Sequence, residues 1–150
     1  MEFVEIEWNS DLYALEIELR ERLLRAPLGM GFSTEELAAE SAELHFGLID
    51  QKQLKACAVI VPGPRDQAKL RQMAVHEDHQ RQGLGSTLIR HIESELRCRE
   101  FQRVELHARE EAVPFYGRLG YRTIGDRFIE VNLAHWRMYR QLTDTEGAEK

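Results

Sequence analysis

The chain has 150 residues, 43% of them apolar and 31% charged, with a formal net charge of −6. That is the length of one domain with material for an ordinary core, and the acidic balance argues against general nucleic-acid affinity, which Lys and Arg contacts to phosphate would have to supply. No apolar run approaches the roughly 18 residues a bilayer span needs, and the acidic start Met1-Glu2-Phe3-Val4-Glu5 is unlike a signal peptide, so a cytoplasmic protein engaging neither nucleic acid nor membrane is expected.

In chain order, Glu5-Ile6-Glu7-Trp8 alternates polar and apolar, which predicts an edge strand. Asn9, Ser10 and Asp11 are N-cap candidates for a helix whose apolar face is Leu12, Leu15, Leu19, Leu23 and Ala26, with Glu16, Glu18, Arg20, Glu21 and Arg22 covering the rest. Pro27 and Gly29 end it, and the apolar loop Leu28–Phe32 could line an acceptor cleft. Ser33-Thr34-Glu35-Glu36 reads as a capping box that opens a short second helix through about Ser41. His45–Ile49 and Leu54–Val61 form a hairpin across a polar turn, with Cys57 inside a buried strand. Two dispersed cysteines suggest neither a disulfide framework nor a zinc site.

The next strand, from about Ala68, runs through Leu70-Arg71-Gln72-Met73-Ala74-Val75 and ends in a glycine-punctuated turn. That turn feeds a helix with Leu84, Leu88, Ile92 and Leu96 on one face. Arg103–Ala108 follows as a strand, making residues 70 to 108 a β-α-β unit with parallel strands. Glu110–Leu119 is a short helix closed by Gly120, Tyr121–Ile124 begins a strand, and Trp136–Leu142 is the last one. Residues 1–142 are expected to be one domain, and 143–150 a frayed tail.

The turn carries the chemistry. The first amides of a helix lack intrahelical acceptors and sit at the positive end of its dipole, so a phosphate is welcome there. Gly83 and Gly85 let the backbone bend and a ligand approach, while Gln80, Arg81 and Gln82 add side-chain donors. A P-loop is excluded, because Gly85-Ser86-Thr87 has no lysine. The dinucleotide fingerprint fails at Leu88, although Glu105 stands at a suitable distance for a ribose contact. Gln80-x-x-Gly83-x-Gly85 satisfies a third pattern completely, Gln/Arg-x-x-Gly-x-Gly/Ala. His76-x-x-His79 has no further ligand nearby, and no metal is expected.

With that pattern the sequence resembles the GNAT superfamily of acyl-CoA-dependent N-acyltransferases. Ala112-Val113-Pro114-Phe115-Tyr116-Gly117-Arg118-Leu119-Gly120-Tyr121 is similar to the family's Ala-x-x-Phe-Tyr-x-x-x-Gly-Phe/Tyr segment. Gly125–Glu130 and Ala134–Met138 resemble the Gly-x-x-Phe-x-Glu and Pro-His-x-x-Met of a small, uncharacterised bacterial branch. The resemblance implies an α/β, mixed-sheet fold of three layers in the order β-α-α-β-β-β-α-β-α-β-β. It implies acetyl-CoA as co-substrate, its pyrophosphate held by Gln80, Arg81, Gln82, Gly83, Leu84, Gly85, Ser86 and Thr87. The pantetheine arm would add to the strand edge at Met73, Ala74 and Val75. Arg109 stands where many members carry Asn or Gln.

Tyr116 matches the family tyrosine that protonates the departing thiolate, a task suited to a phenol with an ordinary pKa of about 10; Tyr121 reads as core. Glu130 and His135, through the branch resemblance, and His107, a polar residue in an apolar strand, are alternatives for the base. The expected reaction moves an acetyl group from acetyl-CoA to a primary amine of a small molecule by direct attack in a ternary complex. A peptide or protein N-acetyltransferase, an inactive CoA-binding sensor and a nucleotide-dependent oxidoreductase are the rival readings. Oligomeric state stays open, with homodimers by strand exchange or edge pairing common in similar folds.

Overall fold

The computed structural model describes residues 1–142, so the tail expected at 143–150 lies outside the described residues. The elements are β1 (Glu2–Glu5), α1 (Asp11–Arg20), α2 (Thr34–Ala39), β2 (Leu44–Asp50), β3 (Gln53–Pro62), β4 (Gln67–Val75), α3 (Leu84–Cys98), β5 (Arg103–Arg109), α4 (Val113–Arg118), β6 (Arg122–Glu130) and β7 (Leu133–Gln141). The expected element order holds, and the seven strands make one mixed sheet ordered β1-β2-β3-β4-β5-β7-β6. No helix among the described residues is long and apolar enough to cross a membrane.

The chain gathers into two compact units, the first Met1–Val61 with Arg71–Ile92, the second Pro62–Leu70 with Glu93 onward. In the first, β1, β2 and β3 pair antiparallel in sequence order. Its core brings together Ile6, Tyr13, Leu19, Leu54, Cys57 and Ala74. The first strand lies earlier than the alternation predicted, at Glu2–Glu5 rather than Glu5–Trp8. The chain must turn before α1: Ser10 N–H donates to Glu7 O at 3.2 Å, Asn9 is left-handed, and Ser10 caps the helix by accepting from Tyr13 N–H. The capping box at Ser33 and Glu36 forms as read from the sequence.

The buried face of α1 also departs from the apolar stripe. Leu15 is 38% exposed, whereas Glu16 and Arg20 are fully buried. Arg20 donates to Glu16 at 2.6 Å and to both oxygens of Glu40 at 2.9 and 2.6 Å, Tyr13 hydroxyl donates to Glu40 at 2.7 Å, and the two ring nitrogens of His45 lie 2.8 Å from Glu16 and 3.0 Å from the Glu40 carbonyl. Charge that is paired and hydrogen-bonded can be buried, and a pattern that counts only apolar residues misses it. A π-helical turn at Glu21–Arg25 then carries the chain into the loop before α2. That loop is anchored: Phe32 lies under the guanidinium groups of Arg25 and Arg20, 4.3 and 4.7 Å from its ring centre.

In the second unit the first half of β4 runs parallel to β5, from Gln67↔Arg103 to Leu70↔Leu106, as the β-α-β reading requires. β5 pairs antiparallel with β7, and β7 with β6. Alternation then fixes two faces. Val104, Leu106, Ala108 and Met138 are buried, while Glu105 and His107 project to the other side and are half-buried.

Candidate functional site

The glycine turn folds as a cradle at the start of α3. Arg81 and Gly83 both take left-handed backbone, φ 65° and 81°, and Gly83 O accepts the Thr87 N–H at 3.0 Å as the helix begins. A Cβ on Gly83 would meet no atom within 4 Å, so the space beside it is open, but the backbone angle itself disfavours any other residue. Leu84, Gly85, Ser86 and Thr87 form the first turn of α3, where the helix's unmatched N–H groups lie. Arg81 is exposed and has no ion-pair partner among the described residues.

Gln80 and Gln82 do more than offer donors. Gln80 Nε2 donates to the Val75 carbonyl at 3.1 Å, tying the loop to the end of β4, and Gln82 Nε2 donates to Asp78 O at 3.4 Å. Two further holds were invisible in the sequence. His76 N–H donates to Lys55 O at 2.8 Å, and Arg22 grips Glu77 in a two-pronged bond of 2.9 and 2.8 Å. That bond to Arg22 pulls the Glu77 carboxyl down to about 2. Arg22 lies on the exposed side of its turn, 55 residues away in sequence, so no spacing rule could have found it. Met73, Ala74 and Val75 close β4, Ala74 buried and the others half-buried. Just before them Gln72 has φ 54°, a left-handed residue inside a strand.

The two tyrosines of the second unit differ in what holds them. Tyr121 is buried and its hydroxyl donates to Glu93 Oε2 at 2.9 Å, while Arg140 holds the other oxygen at 2.9 Å. Gly120, at φ 99°, lets Arg140 pass: a Cβ there would sit 2.9 Å from its Nε. Tyr116, on α4, touches Phe115 and Tyr121 edge-on, and no described residue hydrogen-bonds its hydroxyl. Burial pushes its phenol up to about 12, so it is protonated at neutral pH and able to give a proton.

The three alternatives for a base come together. His107 on β5, Glu130 at the end of β6 and His135 on β7 surround Phe128. The His107 ring meets Phe128 edge-on at 5.0 Å, and His135 stacks on it at 5.7 Å. Glu130 Oε1 is 3.4 Å from His107 Nδ1 and 3.8 Å from His135 Nε2. His135 Nδ1 lies 2.9 Å from the Leu133 carbonyl, to which it donates. Burial, with the charges of Lys69 and Arg137, holds the His107 imidazole below its ordinary value against the opposing pull of Glu130.

A separate group of ligand-type atoms, from Glu16, Glu40 and His45, lies within 4.8 Å in the first unit. Arg20 already bonds both of its carboxylates, so the positive charge there is supplied by the chain itself.

Residues 32–142 match the family model described as Acetyltransferase (GNAT) domain. The chain belongs to the GNAT acetyltransferase family. It is thereby classed as an acyltransferase. The uncharacterized N-acetyltransferase YitI of Bacillus subtilis is 36% identical over 75 residues, which are 49% of this chain and 50% of that protein. The chain spans about half the length of such curated relatives, 51% and 50% for two others from the same organism. Among solved structures, an aminoglycoside 6'-N-acetyltransferase complexed with coenzyme A superposes with a TM-score of 0.81 at 17% identity, covering 95% of this chain and 98% of that one. The ribosomal-protein-S18-alanine N-acetyltransferase of Escherichia coli gives 0.77 at 22%, covering 95% of each. At these identities the likeness is one of fold.

Proposed function

We propose that residues 1–142 act as one cytoplasmic N-acetyltransferase domain that moves the acetyl group of acetyl-CoA to a primary amine of a small molecule, by direct attack in a ternary complex. The observation that carries this reading is the cradle: Gln80-x-x-Gly83-x-Gly85 at the mouth of α3, with Gly83 in left-handed backbone beside open space. Main-chain N–H groups at a helix start are donors suited to a pyrophosphate, and Arg81 adds a charge free of other partners among the described residues. Main chain at Met73, Ala74 and Val75 would hold the pantetheine arm, and a backbone N–H there would polarise the thioester carbonyl.

The chemistry then needs three proton movements. A proton leaves the incoming ammonium, the amine nitrogen attacks the thioester carbon, and the C–S bond breaks. Tyr116 supplies the proton that converts the departing thiolate to a thiol, and the second proton of the attacking nitrogen restores the phenol. The cluster of His107, Glu130 and His135 supplies the base. Amine and thioester react without a metal.

Calorimetric titration with acetyl-CoA, coenzyme A and NADH in parallel, on wild type and on Gly83→Val/Gly85→Val, tests the cradle. Micromolar acetyl-CoA binding that the double substitution abolishes is expected. NADH binding alone overturns the reading. Thiol release with spermidine, glucosamine and an Ala-Tyr dipeptide then separates small-molecule from peptide acceptors, and transfer to the dipeptide alone favours the peptide reading.

A further inference from the structure

The cluster around Phe128 does not offer its three polar groups equally. His135 is 8% exposed and has its Nδ1–H committed to the Leu133 carbonyl at 2.9 Å, with its ring stacked on Phe128. It is an anchored residue. Glu130 is a carboxylate and can only accept, so for the 3.4 Å approach to His107 to be a hydrogen bond, His107 Nδ1 must carry the proton. His107 Nε2 then holds the lone pair. This is the arrangement of an oriented base: a carboxylate on one nitrogen and a free electron pair on the other. The bond is long, as such bonds often are before substrate tightens them.

The hairpin that presents Glu130 is strained. Glu130 pairs with Leu133 across the two-residue turn Val131-Asn132, whose φ values are 52° and 62°. A β-branched residue rarely adopts that backbone, and local strain of this kind is retained where surroundings over-determine it. The tip fixes Glu130 on one side and, on the other, the Leu133 carbonyl that anchors His135. The charged groups that face His107 are Lys69 from β4, Arg137 and His135 from β7, Glu130 from β6, and Glu105 two residues back on β5. Glu105 is engaged by Arg103 at 3.0 Å and Arg137 at 3.3 Å, which leaves Glu130 as the carboxylate at its Nδ1.

Resting on the acetyltransferase reading, we propose that His107 is the catalytic base, taking the ammonium proton on Nε2, and that Glu130 is a positioning residue that fixes its tautomer. In the step, the N–H bond of R–NH3+ breaks, its electron pair stays on nitrogen as the nucleophile, and the proton makes His107 an imidazolium that returns it to solvent. Overall, R–NH3+ and the acetyl thioester give R–NH–acetyl, free thiol and one proton.

The test combines ring-nitrogen NMR with kinetics. In 15N-labelled wild type, His107 shows the Nδ1–H tautomer, which Glu130→Ala converts to the commoner Nε2–H form; an Nε2–H tautomer in wild type overturns the proposal. With acetyl-CoA and the best acceptor of spermidine, glucosamine and Ala-Tyr, His107→Asn lowers kcat about 100-fold, leaves the acetyl-CoA Kd by calorimetry unchanged, and abolishes the acidic limb of the pH profile. Glu130→Gln keeps that limb and moves it to lower pH, since a negative charge has left the imidazole. Transfer that survives His107→Asn with the limb in place overturns the base and leaves the function standing. A wild type that binds acetyl-CoA but releases no thiol with any acceptor overturns both.

Discussion

His45 and His107 each face a glutamate, and the two units treat them in opposite ways. His45 is 1% exposed, with one ring nitrogen on Glu16 and the other on the Glu40 carbonyl. Neither partner donates as long as Glu16 is ionised, so both ring nitrogens must, and the ring is held as the cation. Burial is the largest single effect and opposes that charge, but the hydrogen bond and charge of Glu16 and the contacts with Glu40 outweigh it and raise His45 above its ordinary value. His107 has one carboxylate at 3.4 Å, positive neighbours in Lys69 and Arg137, and one nitrogen left over; it is held low. A closed network makes a histidine structural, whereas an incomplete one leaves it able to move a proton.

The sharpest way to break the comparison is to remove a charge from each cluster. Arg20→Met removes the guanidinium that bonds both buried carboxylates and leaves Glu16 and Glu40 with the His45 ring as their cation, at an expected cost of about 3–5 kcal/mol in stability by urea unfolding. Glu130→Ala, whose side chain is 44% exposed, is expected to change stability by no more than about 0.5 kcal/mol. Equal losses would mean that both clusters are structural.

The tyrosines repeat the contrast at the level of activity. Tyr116→Phe is expected to lower kcat about 100-fold with acetyl-CoA binding intact, because it removes a proton donor and little else. Tyr121→Phe leaves Glu93 one donor short in a buried site, so its loss is expected in stability, about 1–3 kcal/mol, with kcat nearly unchanged. Thiol-release kinetics and thermal unfolding on both variants separate the two roles.

How far the sequence could be read follows the same division. Element order, the parallel β-α-β unit, the capping box at Ser33 and the glycine turn all rest on local signals within a few residues, and these were legible. The burial of Glu16 and Arg20 was not, because it depends on Glu40 and His45, which reach them only through tertiary packing. His107, Glu130 and His135 could each be singled out as types suited to proton transfer. Their meeting around Phe128 needed the register of β5, β7 and β6, which places Arg109 opposite His135 and His135 opposite Phe128. The grip of Arg22 on Glu77 had no signal at all.

The protonation of His45 has a pH signature of its own. Its folded-state pKa is raised, so its contribution is fully present below the ordinary histidine value near 6.5 and is lost as pH rises through the folded value above that. Thermal stability is therefore expected to fall as pH is raised from about 6.5, and His45→Gln is expected to flatten that slope. A slope unchanged in His45→Gln would mean that the cation is not what the network stabilises.

The smallest effect expected lies at the tip of the β6–β7 hairpin. Val131 and Asn132 both need left-handed backbone, and a β-branched side chain there costs roughly 1 kcal/mol relative to a residue that adopts it readily. Val131→Asn replaces it with the residue such two-residue turns prefer, and should raise stability by up to about 1 kcal/mol in urea unfolding. It also tests whether the strain serves the cluster. If Val131 merely tolerates the turn, stability rises and the His107 tautomer stays as it was. If the strained tip is what sets Glu130 against His107, the same substitution loosens that approach, and the ring-nitrogen spectrum moves toward the Nε2–H form while the protein becomes more stable.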